Sequence, residues 1–200
     1  MTERDHIIKL LQKASGDPNF LKRLKFFHEY DKKPLRRWEN WLQMELLYWL
    51  HNSGVKDISF EDESSLDKRR IKSKSQPDTY SARIDIVYRR NNCINNVYTG
   101  IELKVKDNQC YSVRESLKDL EKISCISNRD WRYYSVFSIS IYRFNNNQKY
   151  NRLFENEENS VIINLGPYYK AAILCWESSS KKYPSLKEYQ YWLKQLNKFI

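Results

Sequence analysis

Three charged residues lie inside two apolar segments of the sequence, where their types and spacing suit chemistry. Glu102 and Lys104 stand two residues apart in "VYTGIELKV", and Asp85 interrupts "RIDIVY" 17 residues before Glu102. Burying an unpaired carboxylate is expensive, so Asp85 needs either a salt bridge to Arg83 or Lys104, or a functional role. Paired carboxylates are the hard oxygen ligands that Mg²⁺ prefers. An ammonium beside them can orient water and offset charge on a phosphate during hydrolysis.

Two β-strands must position these residues. The segments "ARIDIVYRR" and "VYTGIELKV" have the composition of strands and are separated by the turn-forming "NNCINN". Side chains alternate along a strand, so Glu102 and Lys104 share one face while Leu103 takes the other. We expect Asp85 to lie beside Glu102 on an adjacent strand, with a divalent cation between them. The backbone carbonyl of Leu103 is a further candidate ligand.

Helices are predicted both before and after these strands in the sequence. Residues 1 to 30 have helical periodicity, which "SGDP" at Ser15 to Pro18 divides into two pieces. A clearer helix runs from near Pro34 to Gly54. Its apolar stripe consists of Leu35, Trp38, Leu42, Leu46 and Trp49. Helical periodicity returns in "YSVRESLKDLEKISCI" and in the closing segment "SLKEYQYWLKQLNKFI".

The remaining segments predict the fold class. The polar and charged stretch from Ser59 to Tyr80 indicates a strand edge followed by an exposed connection. "WRYYSVFSISIYRF" alternates like a central strand, and "SVIINLG" and "AAILCWE" are typical of buried strands. We therefore predict one α/β domain over residues 1–200, with a mixed central sheet flanked by helices. The N-terminal helices, residues 1–33, are expected to pack on this core.

Asp85, Glu102, Lys104 and the helix before them together resemble the PD-(D/E)XK phosphodiesterase superfamily. This is the fold of many restriction endonucleases and Holliday-junction resolvases, and the resemblance covers roughly Pro34 to Ile126. It implies a restriction endonuclease-like core in which Asp85 and Glu102 bind Mg²⁺, or Mn²⁺ in its place, beside the motif lysine Lys104. The literal Pro77-Asp78 lies in the polar connection, and many members lack the proline, so Asp85 is favoured over Asp78.

The resemblance also implies a catalytic residue on the early core helix. Members often place a glutamate there, and counting back from Gly54 puts that position on Gln43. Glu39, one turn earlier, shares the face of Gln43, whereas Glu45 falls on the opposite flank at about 100° per residue. We predict the Glu39–Gln43 face to be the one that points into the site.

Charge and composition indicate the partner. The formal charge of +10 favours a polyanion, either nucleic acid or an anionic membrane surface. No apolar run approaches the roughly 20 residues that span a bilayer, so nucleic acid is preferred. Candidate phosphate-binding residues are Arg69 and Arg70 in the basic segment "DKRRIKSK", and Arg89 and Arg90 at the end of the Asp85 strand. The basic segment is equally compatible with a solvated loop.

The remaining residue types narrow the chemistry and the location. The four cysteines are scattered and the three histidines stand alone, which argues against a zinc site or a histidine-based triad. We expect free thiols, a cytoplasmic location and no secretory segment at the N-terminus. Asp119 and Lys122, on the helix after Lys104, are expected to be surface partners.

These observations predict a Mg²⁺-dependent endonuclease that hydrolyses DNA, in restriction, phage defence, recombination or repair. Two alternatives stay open. One is a catalytically inactive nucleic-acid-binding or protein-interaction module with the same fold, and the other is an RNase, because the metal chemistry is indifferent to the sugar. A homodimer is compatible with the sequence.

Overall fold

The described residues form a six-stranded sheet with helices on both faces. The computed structural model describes residues 3–30, 36–65, 81–90, 98–106, 109–123, 133–143, 160–177 and 194. Three helices come first: α1 (Glu3–Ser15), α2 (Pro18–Tyr30) and α3 (Arg36–Asn52). Then come β1 (Val55–Ser65), β2 (Ser81–Arg90), β3 (Tyr98–Lys106), α4 (Gln109–Ile123), β4 (Tyr133–Arg143), β5 (Ser160–Leu165) and β6 (Tyr169–Glu177). The predicted closing helix lies outside the described residues apart from residue 194, as do the "NNCINN" turn and the basic segment.

Local sequence signals set the helix ends as predicted. Between α1 and α2, the Asp17 carboxylate accepts a hydrogen bond from the Asn19 N–H at 2.8 Å, which caps the start of α2. After α3, Gly54 has a φ of 79°, a conformation that side chains disfavour, and its N–H donates to the His51 carbonyl. The break at "SGDP" and the end of α3 before Gly54 are therefore confirmed.

The sheet is mixed, with strand order β1-β2-β3-β4-β6-β5. Among the described strands only β3 and β4 pair in parallel, and α4 forms the crossover between them. The other neighbouring strands pair antiparallel. The predictions of a mixed sheet, of an edge strand before the Asp85 strand and of a central β4 are confirmed.

One face of the sheet carries the larger apolar core. Ile101, Leu103 and Val105 of β3 pack there with residues of α1 and α3. The predicted stripe of α3 is correct for its central members, but Leu50 is completely buried while Trp49 is only half-buried. The rings of Trp49 and Phe20 instead meet in an edge-to-face arrangement. The buried stripe of α3 therefore ends with Leu50 rather than with the predicted Trp49.

The opposite face is covered by α4, which packs on β3 and β4. Its buried side chains include Ser112, Val113, Ser116 and Leu117. By strand alternation, Glu102 and Lys104 belong to this face. Within the described residues, no helix has the length and apolarity needed to cross a membrane.

Candidate active site

Strands β2 and β3 separate where Asp85 approaches β3. Their antiparallel pairing runs only from Tyr88↔Thr99 to Ile86↔Ile101, whereas β2 stays paired with β1 as far as Ser81. We call the opening between Asp85 and residues 102–105 the fork. Backbone groups that a neighbouring strand would satisfy must find other partners in the fork.

Three predicted site residues supply those partners. The Asp85 carboxylate Oδ2 accepts a hydrogen bond from the Leu103 N–H at 2.7 Å. The Gln43 amide Nε2 donates to the Asp85 carbonyl at 2.8 Å. The Glu39 carboxylate Oε2 accepts from the Val105 N–H at 3.4 Å. Helix α3 therefore contacts both sides of the fork through side chains one turn apart.

The orientation of α3 matches the predicted helix face. Glu39 and Gln43 both point to the fork, as their i, i+4 spacing requires. Glu45 lies on the other flank, where its carboxylate pairs with Arg23 of α2 at 2.8 Å. Helical geometry thus separates a face that reaches the strands from a face that joins two helices. A catalytic role for Glu39 or Gln43 stays a prediction.

The two predicted metal-binding acids meet in the fork. Glu102 is 5 % exposed, and its side chain lies near enough to the Asp85 carboxyl to influence the pKa of that group. Burial raises the pKa of the Asp85 carboxyl above its ordinary value of 3.8, and the charge of Asp119 adds to this effect. The Leu103 N–H, the Lys104 ammonium and Glu102 offset the shift only in part. Two crowded carboxyl groups of this kind favour a bound cation.

Lys104 is held by the helix that covers its face of the sheet. Its ammonium Nζ lies 2.9 Å from Asp119 Oδ2 of α4, and the two side chains are 19 % and 28 % exposed. Burial alone would lower the pKa of Lys104, but the carboxylates of Asp119, Glu102 and Glu39 outweigh it and raise the pKa. The side chain is therefore a cation at neutral pH, suited to holding an anionic oxygen rather than to accepting a proton.

Asp119 is the site residue that the sequence analysis missed. The prediction of a surface partner is correct only in part, because Asp119 is 28 % exposed and pairs with Lys104 of β3. The signal was its spacing: it follows Ser112 and Ser116, both completely buried, by seven and three residues. These three positions share one helix face. The side chain of Lys122 lies outside the described residues.

The fork offers a divalent cation a small set of oxygen ligands. Across the described ranges, no group of three or more His, Cys, Asp or Glu side chains is placed to hold a metal ion. Asp85 and Glu102 supply two carboxylates. The N–H and C=O of one strand residue point to the same side, and the Leu103 N–H reaches Asp85, so the Leu103 carbonyl is directed into the fork as well. Two carboxylates, one carbonyl and water suit Mg²⁺.

The predicted phosphate-binding arginines do not converge on the fork within the described residues. Arg89 forms an ion pair with Asp57 of β1, and it lies four residues along β2 from Asp85, about 13 Å at 3.3 Å per residue. Arg69 and Arg70 lie outside the described residues, as do the side chain of Arg90 and the alternative acid Asp78. Phosphate binding by the four arginines stays a prediction.

Comparisons of the chain with protein-family models, with curated proteins and with solved structures found no match. The chain is an α/β protein with a mixed six-stranded sheet. Any function must therefore be argued from the arrangement of residues in the fork.

Proposed function

We propose that this protein is a metal-dependent endonuclease with a restriction endonuclease-like core of the PD-(D/E)XK type, acting on phosphodiester bonds in DNA. The observation that carries the proposal is that the Asp85 carboxylate reaches the backbone between Glu102 and Lys104 at one opening in the sheet. The two acids come from different strands, the Asp85 carboxylate reaches the Leu103 N–H next to Glu102, and Lys104 is held as a cation by Asp119. A buried cluster of this composition is typical of a functional site.

The residues of the fork divide the work of hydrolysis. Asp85 and Glu102, with the Leu103 carbonyl, would hold Mg²⁺ or Mn²⁺, which supplies charge for the phosphate oxygens and makes water more acidic. Lys104 donates hydrogen bonds to an anionic phosphate oxygen or to the attacking water and stabilises the added negative charge in the transition state. Glu39 and Gln43 hold α3 against the fork and so keep Asp85 and β3 in register.

DNA is the proposed partner because of the charge of the chain. A net charge of +10 favours attraction to the phosphate backbone without regard to base sequence. Affinity should then fall steeply with salt, by roughly 10³ to 10⁵ between low and physiological concentrations if six to ten phosphates are contacted. Restriction, phage defence, recombination and repair all use such an activity.

Cleavage assays test the proposal. The purified protein is incubated with supercoiled, linear and branched DNA in Mg²⁺ or Mn²⁺, beside a Lys104→Ala variant. We expect cleavage by the native chain and a loss of about 10² to 10³ in rate for Lys104→Ala, the usual effect of removing one group that stabilises developing charge. Lys118→Ala is the matched control, because Lys118 lies on α4 but is exposed and pairs only with Glu115 among the described residues.

Some outcomes of the same assay would contradict the proposal. If the native chain does not cut DNA in the presence of metal, or if Lys104→Ala cuts equally well, the proposed enzyme with Lys104 in its active site is rejected. Binding without cutting would favour the inactive module, for which Gln43 is the supporting observation: its amide serves the Asp85 backbone and adds no carboxylate. An RNA substrate in parallel separates a DNase from an RNase.

A further inference from the structure

We infer that Asp119 is a positioning residue that holds the Lys104 ammonium apart from the Asp85–Glu102 pair, which keeps that pair open to a divalent cation. The inference rests on the proposed function, because it needs a cation at the two acids. It assigns to α4 a role in metal binding, through a residue that is not itself a ligand.

The position of Asp119 is fixed by the contacts of α4 with the sheet. Ser116 and Ser140 of β4 are joined through their hydroxyl groups at 2.5 Å. The Ser140 hydroxyl also donates to the Ser112 carbonyl at 3.3 Å, and the Ser112 hydroxyl donates to the Lys104 carbonyl at 3.4 Å. Small side chains let the helix lie close to the sheet. Asp119, three residues after Ser116, is therefore presented to Lys104 by an anchored helix.

Lys104 has several carboxylates within its electrostatic reach. It pairs directly with Asp119, and it is also attracted to Glu102 and Glu39. Glu102 is two residues away on the same face of β3, about 7 Å between backbones, which a lysine side chain can span. An ammonium that moved onto Glu102 would place a positive charge where the divalent cation must bind.

Asp119 gives the ammonium a different partner. Its carboxylate lies on the helix side of Lys104, whereas the Asp85 carboxylate lies in the fork, where it accepts a hydrogen bond from the Leu103 N–H beside Glu102. The pairing leaves the ammonium near enough to serve a phosphate oxygen and removes it from the oxygens that would bind metal. Supporting side chains of this kind change metal affinity by roughly 10–100-fold when they are removed.

A double-mutant cycle on metal affinity tests the inference without relying on cleavage. Mn²⁺ binding is measured by calorimetry and by electron paramagnetic resonance for the native chain, Asp119→Asn, Lys104→Ala and the double variant. We expect Asp119→Asn to weaken Mn²⁺ binding by roughly 10–100-fold in the native background. In the Lys104→Ala background the same change should have a much smaller effect, because the competing ammonium is gone.

Two further variants keep the test decisive. Asp119→Glu retains the charge and should restore most of the affinity, which a role limited to helix packing does not predict. Asp119→Ser replaces Asp119→Asn in the cycle if the asparagine variant fails to fold, as judged by its thermal unfolding.

The outcomes separate the inference from the proposed function. A native chain that binds no Mn²⁺ overturns the metal site itself, and the inference with it. A native chain that binds Mn²⁺ while Asp119→Asn binds it equally well overturns the inference alone. The inference is also overturned if Asp119→Asn lowers Mn²⁺ affinity equally with and without Lys104. Asp119 would then act on the cation or on folding independently of the lysine.

Discussion

The two faces of the sheet differ in what they bury. The face covered by α1–α3 buries aliphatic and aromatic side chains, among them Leu46, Ile101 and Phe137. The face under α4 buries serines, such as Ser138 and Ser140, beside the charged cluster of the fork. Strand β3 contributes to both faces because its side chains alternate.

The difference indicates that one face stabilises the fold, while the other buries polar and charged groups that lower stability but can serve a reaction. Apolar burial is worth about 25 cal/mol per Å², and it is concentrated under α1–α3. Under α4, a carboxyl group with a raised pKa is one that folding makes harder to ionise. The stability of the protein at neutral pH should therefore depend on the apolar face far more than on the fork.

The largest expected effect on stability is at the apolar face. Phe137 of β4 is completely buried, and Phe137→Ala should lower the free energy of unfolding by about 3–5 kcal/mol through lost burial and a cavity. Urea unfolding measures the change. Phe26→Ala is the matched control, because Phe26 is 57 % exposed and its truncation should shift stability by no more than about 0.5 kcal/mol. Similar losses in the two variants would contradict the assignment of the core to this face.

Asp85→Asn should have a smaller effect of the opposite sign. The folded-state pKa of Asp85 lies above 3.8, so between the two values the folded protein binds more protons than the unfolded chain. Its free energy of unfolding then falls as pH rises through that interval. Asn cannot ionise, and its carbonyl can still accept from the Leu103 N–H. In metal-free buffer, Asp85→Asn should therefore be more stable than the native chain at pH 7.

The pH dependence of this gain is its check. Thermal unfolding with a chelator present should show the advantage of Asp85→Asn at pH 7 and its disappearance as pH falls below about 4, where the native carboxyl is protonated in both states. An advantage that is constant over this range would mean that Asn packs better for reasons unrelated to charge. The variant should also lose Mn²⁺ binding. The carboxyl group that lowers stability at pH 7 would then be the one that binds the metal.

Local patterns predicted the parts of the site that depend on a single element. Alternation placed Glu102 and Lys104 on one face of β3, and helical spacing placed Glu39 and Gln43 on one face of α3. The separation of β2 from β3 was not predictable, because the composition of each strand says nothing of where pairing ends. Asp119 was missed for a related reason: a lone acid on a charged helix looks solvent-exposed until the parallel β3–β4 crossover brings that helix over Lys104.

The smallest expected effects come from two neighbouring serines of β4. Ser138 and Ser140 are both completely buried on the α4 face, beside Glu102 and Lys104 in the parallel register. The Ser140 hydroxyl bonds to Ser116 and to the Ser112 carbonyl, whereas that of Ser138 has no partner among the described residues.

Alanine substitutions at these two serines should therefore differ in their effect on stability. Ser140→Ala should lower the free energy of unfolding by about 1 kcal/mol, because it breaks hydrogen bonds of a buried network. Ser138→Ala should be neutral or slightly stabilising, because it removes a buried hydroxyl that gains little in the folded state. Urea unfolding of the two variants, under identical conditions, makes the comparison. Equal losses in the free energy of unfolding would indicate that the Ser138 hydroxyl has a stabilising partner beside Glu102. The polar network under α4 would then extend to the proposed metal ligands.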